Sequence, residues 1–333
     1  YEISCSLVGS EMCIRDSVYA IPYLNVSLAG IFYNKDMFKQ YGLEEPKTLA
    51  DLENICATLK ENGITPFALA NASKWTGSMY FMSLAARYGG LEPFQNAVAG
   101  TGKFTDDCFI KAGEKIQEWV KNGYFPDGVN SLSEDDGQAK QLMYQETAGM
   151  LLCGSWYTGT FQTDSEEFYQ KKIGWFPIPA IDDSDADPTI QIGTVGDQFI
   201  SFNCEGDKLA AAFECAADHL SDEVEDMIYS TGKIAPVKDA GDHISDPVVK
   251  EIFDAAQEAS SIQLWYDQYL PTSVASAHLD GLQEVFGLTK TPQEAQEEMQ
   301  TAMDEYLSTK SDSGAADDTA EEATDDAAAD DAE

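Results

Sequence analysis

The stretch VYAIPYLNVSLAGIFYNKDMFKQYGLEEPKTLADL, residues Val18–Leu52, is the most informative part of the chain for its fold. Its apolar run Leu28–Tyr33 predicts a short apolar strand, and the helix after it is predicted to end at Gly42. Thr48, with Asp51 three residues later, has the spacing of a capping box and predicts the start of a second helix. A strand followed by two helices indicates an α/β layer architecture.

The same alternation continues through the rest of the chain. Apolar residues at helical spacing predict helices, and short apolar runs bounded by Gly or Pro predict strands. The predicted strands are 64–70, 148–153, 173–178 and 193–202, the predicted helices are 48–62, 77–88, 105–122, 137–145, 207–220, 222–230, 246–259 and a last one from 292, and 263–271 is predicted to be extended.

Composition and charge exclude several classes of partner. The 333 residues are 43% hydrophobic and carry a formal charge of −39. This charge argues against nucleic acid, whose phosphates need clustered Lys and Arg, and against anionic lipid surfaces. No apolar run approaches the roughly 20 residues of a membrane span. We therefore expect a ligand that is neutral or cationic.

The seven cysteines are scattered and form no C-x-x-C pair. Together with the absence of His at zinc-finger spacing, this predicts no structural metal site and favours reduced thiols, although disulfides stay open. Asp183-x-Asp185-x-Asp187 resembles a calcium loop, but Pro188 stands where glycine is needed. Lys103 follows a glycine-rich turn that departs from the phosphate-loop pattern at two positions. We expect no cofactor and no metal.

The two ends of the chain are considered separately. Residues 1–17 show no periodicity, resemble a translated sequencing-adapter artefact and are excluded from fold reasoning. Residues 308–333 are predicted to form a disordered acidic tail, since 311–333 contain ten acidic residues and no basic one. Without those ten charges, residues 1–310 still carry −29.

Several motifs, in order, resemble the sugar-binding type of extracellular solute-binding protein (family 1) of bacterial ABC importers. Five elements over about 19–307 carry the resemblance: 18–52, with its Tyr-Asn-Lys-Asp, Tyr-Gly and Pro-Lys-Thr, then 148–160 (AGMLLCGSWYTGT), 173–179, Gly196-Asp197 with 199–201, and 265–271 with the helix at Pro292. One such element is weak, but five in family order are specific.

The resemblance implies a two-lobe, periplasmic-binding-protein-like (type II) α/β fold with hinge strands between the lobes. On this basis residues 18–26 form the first hinge crossing, 27–194 plus 265–307 form the second lobe, and 195–264 form the remaining part of the first lobe. The first lobe is then incomplete, because the segment that normally precedes the first crossing is missing. The resemblance also implies an extracellular protein, either periplasmic or a cell-surface lipoprotein whose signal and anchor were lost with the N-terminus.

Candidate binding residues follow from the chemistry of sugars, whose C–H faces pack on aromatic rings while their hydroxyls need polar partners. Aromatic residues at strand ends and in polar loops are the candidates, with a core or bracing role as the alternative for each: Trp156, Trp75, Trp265, Tyr266 and Tyr23. Asn25 lies beside Tyr23 at the predicted crossing. Trp119 and Trp175 occupy helix and strand positions typical of core residues.

Asp197 and Asp267 are the candidate carboxylates for sugar hydroxyls. Asp197 lies at the predicted second crossing, where the alternative is a turn aspartate bonded to its own backbone. Asp267 lies within the aromatic segment QLWYDQYLP. Because the chain has 59 acidic residues, a solvated surface position is the default for any one of them.

These observations predict that the protein is a non-enzymatic receptor for a mono- or oligosaccharide. Such a receptor delivers its ligand to an ABC permease. The protein is expected to be a monomer that closes about its hinge on the ligand. A glycoside-processing enzyme is the main alternative, because paired carboxylates in an aromatic cleft suit that chemistry as well. A third possibility is that the same fold binds a peptide or a polyamine.

Overall fold

A computed structural model describes residues 12–14, 17–23, 25–196, 198–200, 202–218, 221–237 and 240–325, with side chains for 25–196, 202–218, 221–237 and 240–310. The strands are β1 (Met12–Ile14), β2 (Ser17–Tyr23), β3 (Ser27–Asn34), β4 (Thr65–Phe67), β5 (Ala148–Gly154), β6 (Ile173–Phe176), β7 (Gln191–Thr194), β8 (Gln198–Ile200) and β9 (Ile262–Gln263). The helices are α1 (Lys35–Tyr41), α2 (Leu49–Glu61), α3 (Trp75–Gly89), α4 (Glu92–Ala99), α5 (Asp107–Lys121), α6 (Gln138–Tyr144), α7 (Tyr157–Lys172), α8 (Asp207–Asp218), α9 (Asp222–Ser230), α10 (Ala240–His243), α11 (Pro247–Glu258), α12 (Tyr266–Tyr269), α13 (Thr272–Phe286) and α14 (Pro292–Asp325).

The opening motif folds as its pattern predicts. All eight residues of β3 are buried, as expected of a strand covered on both faces. Gly42 ends α1 in the left-handed conformation, with φ of 66°. Thr48 and Asp51 form the predicted capping box, in which Thr48 Oγ1 accepts from the Asp51 N–H at 3.2 Å and the Asp51 carboxylate accepts from the Thr48 N–H at 3.1 Å.

The larger sheet has six strands and centres on β3. Its order is β4-β5-β3-β7-β9, and β6 also pairs with β3 beyond the point where β7 ends. β3 runs antiparallel to β5, β6 and β7, whereas the outer pairs β4–β5 and β7–β9 are parallel. Helices α3, α5, α13 and α14 pack together beside this sheet. Trp119 and Trp175 are both buried, as predicted.

The smaller sheet has the order β1-β2-β8. β2 and β8, which belong to the two predicted hinge crossings, pair antiparallel with Ile21 opposite Ile200. Strand β1 lies in the 1–17 segment that sequence reasoning set aside, and it pairs with β2.

Some predicted elements are shorter or different in the structure. The predicted strand 193–202 is divided between β7 and β8, which belong to different sheets. The segment predicted to be extended at 263–271 contains the short helix α12. β9 pairs with β7 and α11 packs on β6, so both elements contact strands of the larger sheet. The apolar face of α11 is buried.

The last helix begins as predicted and extends further than predicted. Thr291 and Glu294 cap it reciprocally, with distances of 2.9 and 3.2 Å. The backbone stays helical to Asp325, through most of the segment predicted to be disordered. The alanines of this segment have the highest helix propensity, and adding residues to an existing helix is easier than starting one. Within the described residues, no helix is both long and apolar enough to cross a membrane.

Candidate ligand-binding site

Three tryptophans from distant parts of the chain meet at one cavity. The ring centroids of Trp75 and Trp156 are 6.1 Å apart, and those of Trp156 and Trp265 are 5.8 Å apart with the rings edge to face. The cavity has a volume of about 240 Å³ and is lined by Trp75, Met79, Met82, Trp156, Trp265, Asp267 and Gln268. Trp156 is thus the central ring of an aromatic cluster.

The end of β5 determines the position of Trp156. The Ser155 N–H donates to the Leu28 carbonyl at 2.8 Å, and Ser155 Oγ accepts from the Leu28 N–H at 3.2 Å, so the backbone just before the indole is tied to β3. The indole then folds back over Gly154, where a Cβ would lie 2.1 Å from the ring atom Cζ3. Only glycine leaves room for the ring in this position.

Trp75 begins α3, and the loop before it is fixed by side-chain hydrogen bonds. Asn71 Oδ1 accepts from the Gly77 N–H at 2.9 Å, and Asn71 Nδ2 donates to Asn130 Oδ1 at 2.8 Å. Lys74 has φ of 67° and ψ of −42°, the strained conformation of a γ-turn, and across it the Trp75 N–H donates to the Ser73 carbonyl at 2.8 Å. An ion pair between Lys74 and Asp280 of α13 holds this strained residue. The loop thus presents Trp75 from a constrained turn.

Trp265 connects β9 to α12 and is 4% exposed. Its carbonyl accepts from the N–H groups of Gln268 at 3.2 Å and Tyr269 at 2.9 Å, which forms the single turn of α12. The floor beside it is formed by Met79 and by Met82, whose Sδ accepts from the Tyr266 N–H at 3.1 Å. The turn of α12 therefore aims Trp265, Asp267 and Gln268 at the same cavity.

Asp267 is the one ionisable side chain among the described residues that line the cavity. Burial raises the pKa of its carboxyl group, and the backbone N–H groups of Asp267 and Gln268 partly oppose this shift by hydrogen bonding. A half-buried carboxylate and an exposed side-chain amide therefore face the three indoles. Together they offer hydrogen-bond acceptors and donors next to flat apolar surfaces.

The other predicted site residues are placed differently. Tyr266 is 2% exposed, and its ring stacks on Phe94 at 4.2 Å in the core, so we leave it out of the proposed site. Asn25 is 1% exposed, donates to Ser27 Oγ at 2.8 Å and accepts from the Ile234 N–H at 2.8 Å, which is a structural role. Asp197 and the side chain of Tyr23 lie outside the described part of the structure.

Sequence reasoning missed Met79, Met82 and Gln268. A signal for the methionines exists, because Trp75, Met79 and Met82 follow the i, i+4, i+7 spacing of one helix face. The same spacing is equally typical of a helix face that is buried in the core. No local sequence pattern marks Gln268 as a site residue. The segment around it was predicted to be extended, and that prediction does not show which side chains face a common cavity.

The arrangement suits an uncharged molecule with apolar faces and polar edges. Indole rings pack against C–H groups, and the carboxylate and amide provide partners for hydroxyls. None of the described lining residues is cationic, which disfavours an anionic ligand. In the described part of the chain, no group of three or more His, Cys, Asp or Glu is placed to hold a metal ion. The fold and this cavity together define a small-solute binding module.

Comparison with known families agrees with this class. The family model for the bacterial extracellular solute-binding protein matches residues 6–217, well over half of the chain. The chain belongs to this family, which is extracellular.

Two curated relatives match about half of the chain. An uncharacterized ABC transporter extracellular-binding protein of Pyrococcus horikoshii is 33% identical over 177 residues, which are 52% of this chain and 39% of that protein. The multiple sugar-binding protein of Streptococcus mutans is 29% identical over 185 residues, 51% of this chain and 40% of that protein. The matches therefore span well under half the length of these relatives.

Solved structures share the fold over most of the chain. A protein solved in work on xylan utilization by Caldanaerobius polysaccharolyticus is 28% identical, with a TM-score of 0.76 over 89% of this chain and 75% of that one. The chain has the mixed α/β, two-lobe fold of these binding proteins. The predicted family and fold class are confirmed.

Proposed function

We propose that this chain binds a neutral mono- or oligosaccharide as the substrate-binding component of a carbohydrate ABC importer. The observation that carries the proposal is the convergence of Trp75, Trp156 and Trp265 around one cavity with Asp267 and Gln268 at its edge. Pyranose rings need both kinds of partner at once. The multiple sugar-binding relative supports the same ligand class.

The mechanism is hinge closure followed by delivery. The strand pair β2–β8 joins the two predicted crossings, so bending there moves one lobe against the other. Ligand favours the closed form because only that form lets both lobes contact it. The closed protein then docks on the membrane permease as a monomer and releases its ligand unchanged. It acts either in a periplasm or as a lipoprotein on the cell surface.

A glycoside-processing enzyme is the weaker alternative. Glycosidases place two carboxyl groups across the scissile bond, roughly 5–9.5 Å apart. The described residues that line the cavity include a single carboxylate, Asp267. Incubation with oligosaccharides, followed by analysis of the products, separates the two roles. We expect intact sugar, and release of shorter products would support the enzyme instead.

A cationic ligand is also less well supported. Cation-binding aromatic cages surround the charge with ring faces. Here adjacent ring centroids are 5.8 and 6.1 Å apart, so the indoles pack on one another and part of each ring is taken up by these contacts rather than facing the cavity. A sugar ring can stack on the outward surface of the same cluster.

A ligand screen tests the proposal. Tryptophan fluorescence and thermal unfolding are recorded with xylose, xylo-oligosaccharides, galactose and raffinose, and with spermidine and a neutral tripeptide as comparison ligands. A sugar at 100 times its Kd should raise the free energy of unfolding by about 2.7 kcal/mol and the Tm by about 5 °C. A response to spermidine or the peptide, with none to any sugar, would refute the carbohydrate assignment.

A further inference from the structure

Tyr157, the residue after Trp156, anchors the start of α7 in the core. It is 4% exposed, and its ring centroid lies 5.3 Å from that of Phe161 and 6.3 Å from that of Phe32. Burial raises the pKa of its hydroxyl group, so the hydroxyl stays protonated and needs an acceptor. That acceptor is the Glu134 carboxylate. The indole of Trp156 is therefore followed directly by a side chain that is bonded to a distant part of the chain.

The segment 129–135, which contains this carboxylate, also lies beside the turn before Trp75. Three successive residues of that turn, 71–73, donate hydrogen bonds to it. Two of the donors are N–H groups that bond to backbone carbonyls of the segment at 2.9 Å each. The third is Ser73 Oγ, which donates to Asp135 Oδ2 at 3.3 Å. We call residues 129–135 the bridging segment, because they contact the elements on both sides.

The bridging segment bonds next to both of the neighbouring indoles. Its adjacent carboxylates, those of Glu134 and Asp135, accept from the residue after Trp156 and from a residue two positions before Trp75. The centroids of these two rings are 6.1 Å apart, with 54° between the ring planes. A binding surface made of two rings needs their relative position to hold to within about 0.5 Å. The bridging segment connects the two backbones that carry the rings.

Glu134 makes the stronger of the two carboxylate contacts. Asp135 is exposed, whereas Glu134 is partly buried, and burial raises the pKa of its carboxyl group. The hydrogen bond from Tyr157 opposes this shift, which means that it favours the ionised carboxylate. Hydrogen bonds to a charged group are roughly twice as strong as neutral ones. Neither Glu134 nor Tyr157 is among the described residues that line the cavity, so an effect on a ligand must pass through the indoles.

We propose that Glu134 is a positioning residue, which fixes the indole of Trp156 relative to that of Trp75 through its hydrogen bond to Tyr157. This inference rests on the proposed function and deepens it, because it names a residue outside the cavity on which sugar affinity depends. Without the bond, the bridging segment stays attached to the turn before Trp75 but loses this contact with the start of α7. The two rings then move apart, and the surface that packs against a sugar is lost.

The test measures the relative position of the two rings as well as sugar affinity. Closely spaced indoles give an exciton couplet in circular dichroism, and the part of the couplet that Trp75→Phe removes comes from the ring contacts of Trp75. Affinity is measured by isothermal titration calorimetry with the tightest sugar of the ligand screen, and stability by thermal unfolding. The variants are Tyr157→Phe, Glu134→Ala and Glu134→Gln, whose amide oxygen still accepts a hydrogen bond.

Tyr169→Phe is the matched control. Tyr169 is also on α7, is 2% exposed and donates to Asp246 Oδ1 at 2.9 Å, so the variant likewise removes a buried hydrogen bond between a phenol and a carboxylate. It lies near the opposite end of α7 from Trp156. A general loss of stability should therefore occur in both tyrosine variants, whereas a change in the position of the rings should occur only in Tyr157→Phe.

Tyr157→Phe and Glu134→Ala should each weaken sugar binding about tenfold, which corresponds to about 1.4 kcal/mol, and should reduce the Trp75 part of the couplet. The two changes combined should weaken binding no further than either one alone. Glu134→Gln should retain most of the affinity and most of the couplet. Tyr169→Phe should lower the Tm about as much as Tyr157→Phe does, with the Kd and the couplet unchanged.

Three results would overturn the positioning role while leaving the proposed function intact. The first is wild-type affinity and an unchanged couplet in Tyr157→Phe. The second is an equal loss of affinity in Tyr169→Phe, which would assign the effect to general stability. The third is weaker binding with an unchanged couplet, which would assign Glu134 or Tyr157 to direct contact with the sugar. If no saccharide binds the wild-type chain, the proposed function itself fails, and the couplet, recorded without ligand, still confirms or refutes the effect of Glu134 on the rings.

Discussion

Replacement of Gly154 by alanine tests whether the position of Trp156 is what makes the site. The new Cβ would lie 2.1 Å from Cζ3 and 2.3 Å from Cη2 of the Trp156 ring. Carbon atoms in contact are separated by about 3.5–4.0 Å, so the indole must move by about 1.5 Å or adopt another rotamer. Either movement breaks its edge contact with Trp265 and changes the shape of the cavity.

The expected cost to binding is larger than the cost to folding. Gly154 is absent from the residues with positive φ, so the backbone accepts alanine, and reduced entropy of the unfolded chain contributes about 0.4–1 kcal/mol in favour of the variant. Displacement of the half-buried ring costs about 1–3 kcal/mol. Binding should weaken about tenfold to a hundredfold, because a displaced indole no longer packs against the ligand.

Isothermal titration calorimetry with the tightest sugar of the screen, together with thermal unfolding, measures both quantities. Gly149→Ala is the matched control on the same strand, since its Cβ would meet Leu59 in the core at 2.6 Å. That control should lower the Tm and leave the Kd unchanged.

A double-mutant cycle with Trp156→Ala tests whether Gly154 affects sugar binding through the position of the Trp156 ring. In the absence of the indole, Gly154→Ala should have no further effect on binding. If Gly154→Ala binds sugar like the wild-type chain, or weakens binding equally in both backgrounds, glycine does not act through the tryptophan and the reasoning is wrong.

Three further predictions concern single residues of the site and its support. Trp156→Ala should weaken sugar binding at least about tenfold with little loss of Tm, whereas Trp175→Ala, at a buried core position, should cost about 3–5 kcal/mol of stability by chemical denaturation. Because burial raises the pKa of Asp267, its carboxylate destabilises the fold at neutral pH. This penalty is lost as pH falls through the raised folded-state pKa, and it is absent below the unfolded value of about 3.9. Asp267→Asn should therefore have a higher Tm than the wild-type chain at pH 7, and this difference in Tm should disappear near pH 3. An equal difference in Tm at pH 7 and pH 3 would contradict the inference that the buried Asp267 carboxylate destabilises the fold. Arg87 is 3% exposed and donates three hydrogen bonds to two backbone carbonyls of the 178–190 loop, so Arg87→Met should cost about 3 kcal/mol, and Arg87→Lys should recover little of it because an ammonium group cannot reproduce the planar fork.

Local patterns account for the parts of the fold that the sequence predicted well. The capping box of Thr48 and the glycine after α1 act through contacts within a few residues, so their outcome is visible in the chain itself. The apolar run Leu28–Tyr33 likewise predicts a strand, and the structure shows that all of β3 is buried. Alternation of such elements is enough to define an α/β protein.

Packing between elements that are far apart in the chain was harder to predict because it depends on distant partners. α11 and β9 fall in the segment assigned to the first lobe, but they pack on β6 and pair with β7. Nothing within residues 247–263 distinguishes an apolar helix face that packs on one sheet from one that packs on another. The acidic C-terminal segment is a different case, since composition predicted disorder where the backbone continues α14 to Asp325.

The sequence by itself determined the fold class, the capped ends of α1, α2 and α14, and the residue types proposed to hold a sugar. Helices α4, α7 and α13 were not predicted. Tertiary structure alone decided which of those residues meet, since Trp75, Trp156 and Trp265 come from separate elements that the packing of α3, β5 and α12 brings together. It also separated Trp265, which lines the cavity, from its neighbour Tyr266, which lies in the core. The physical reason is packing: Tyr266 stacks on Phe94 in the core. The single turn of α12 after Trp265 also brings Gln268 to the same cavity as Trp265 and Asp267, whereas strand alternation would place Gln268 on the opposite face from them.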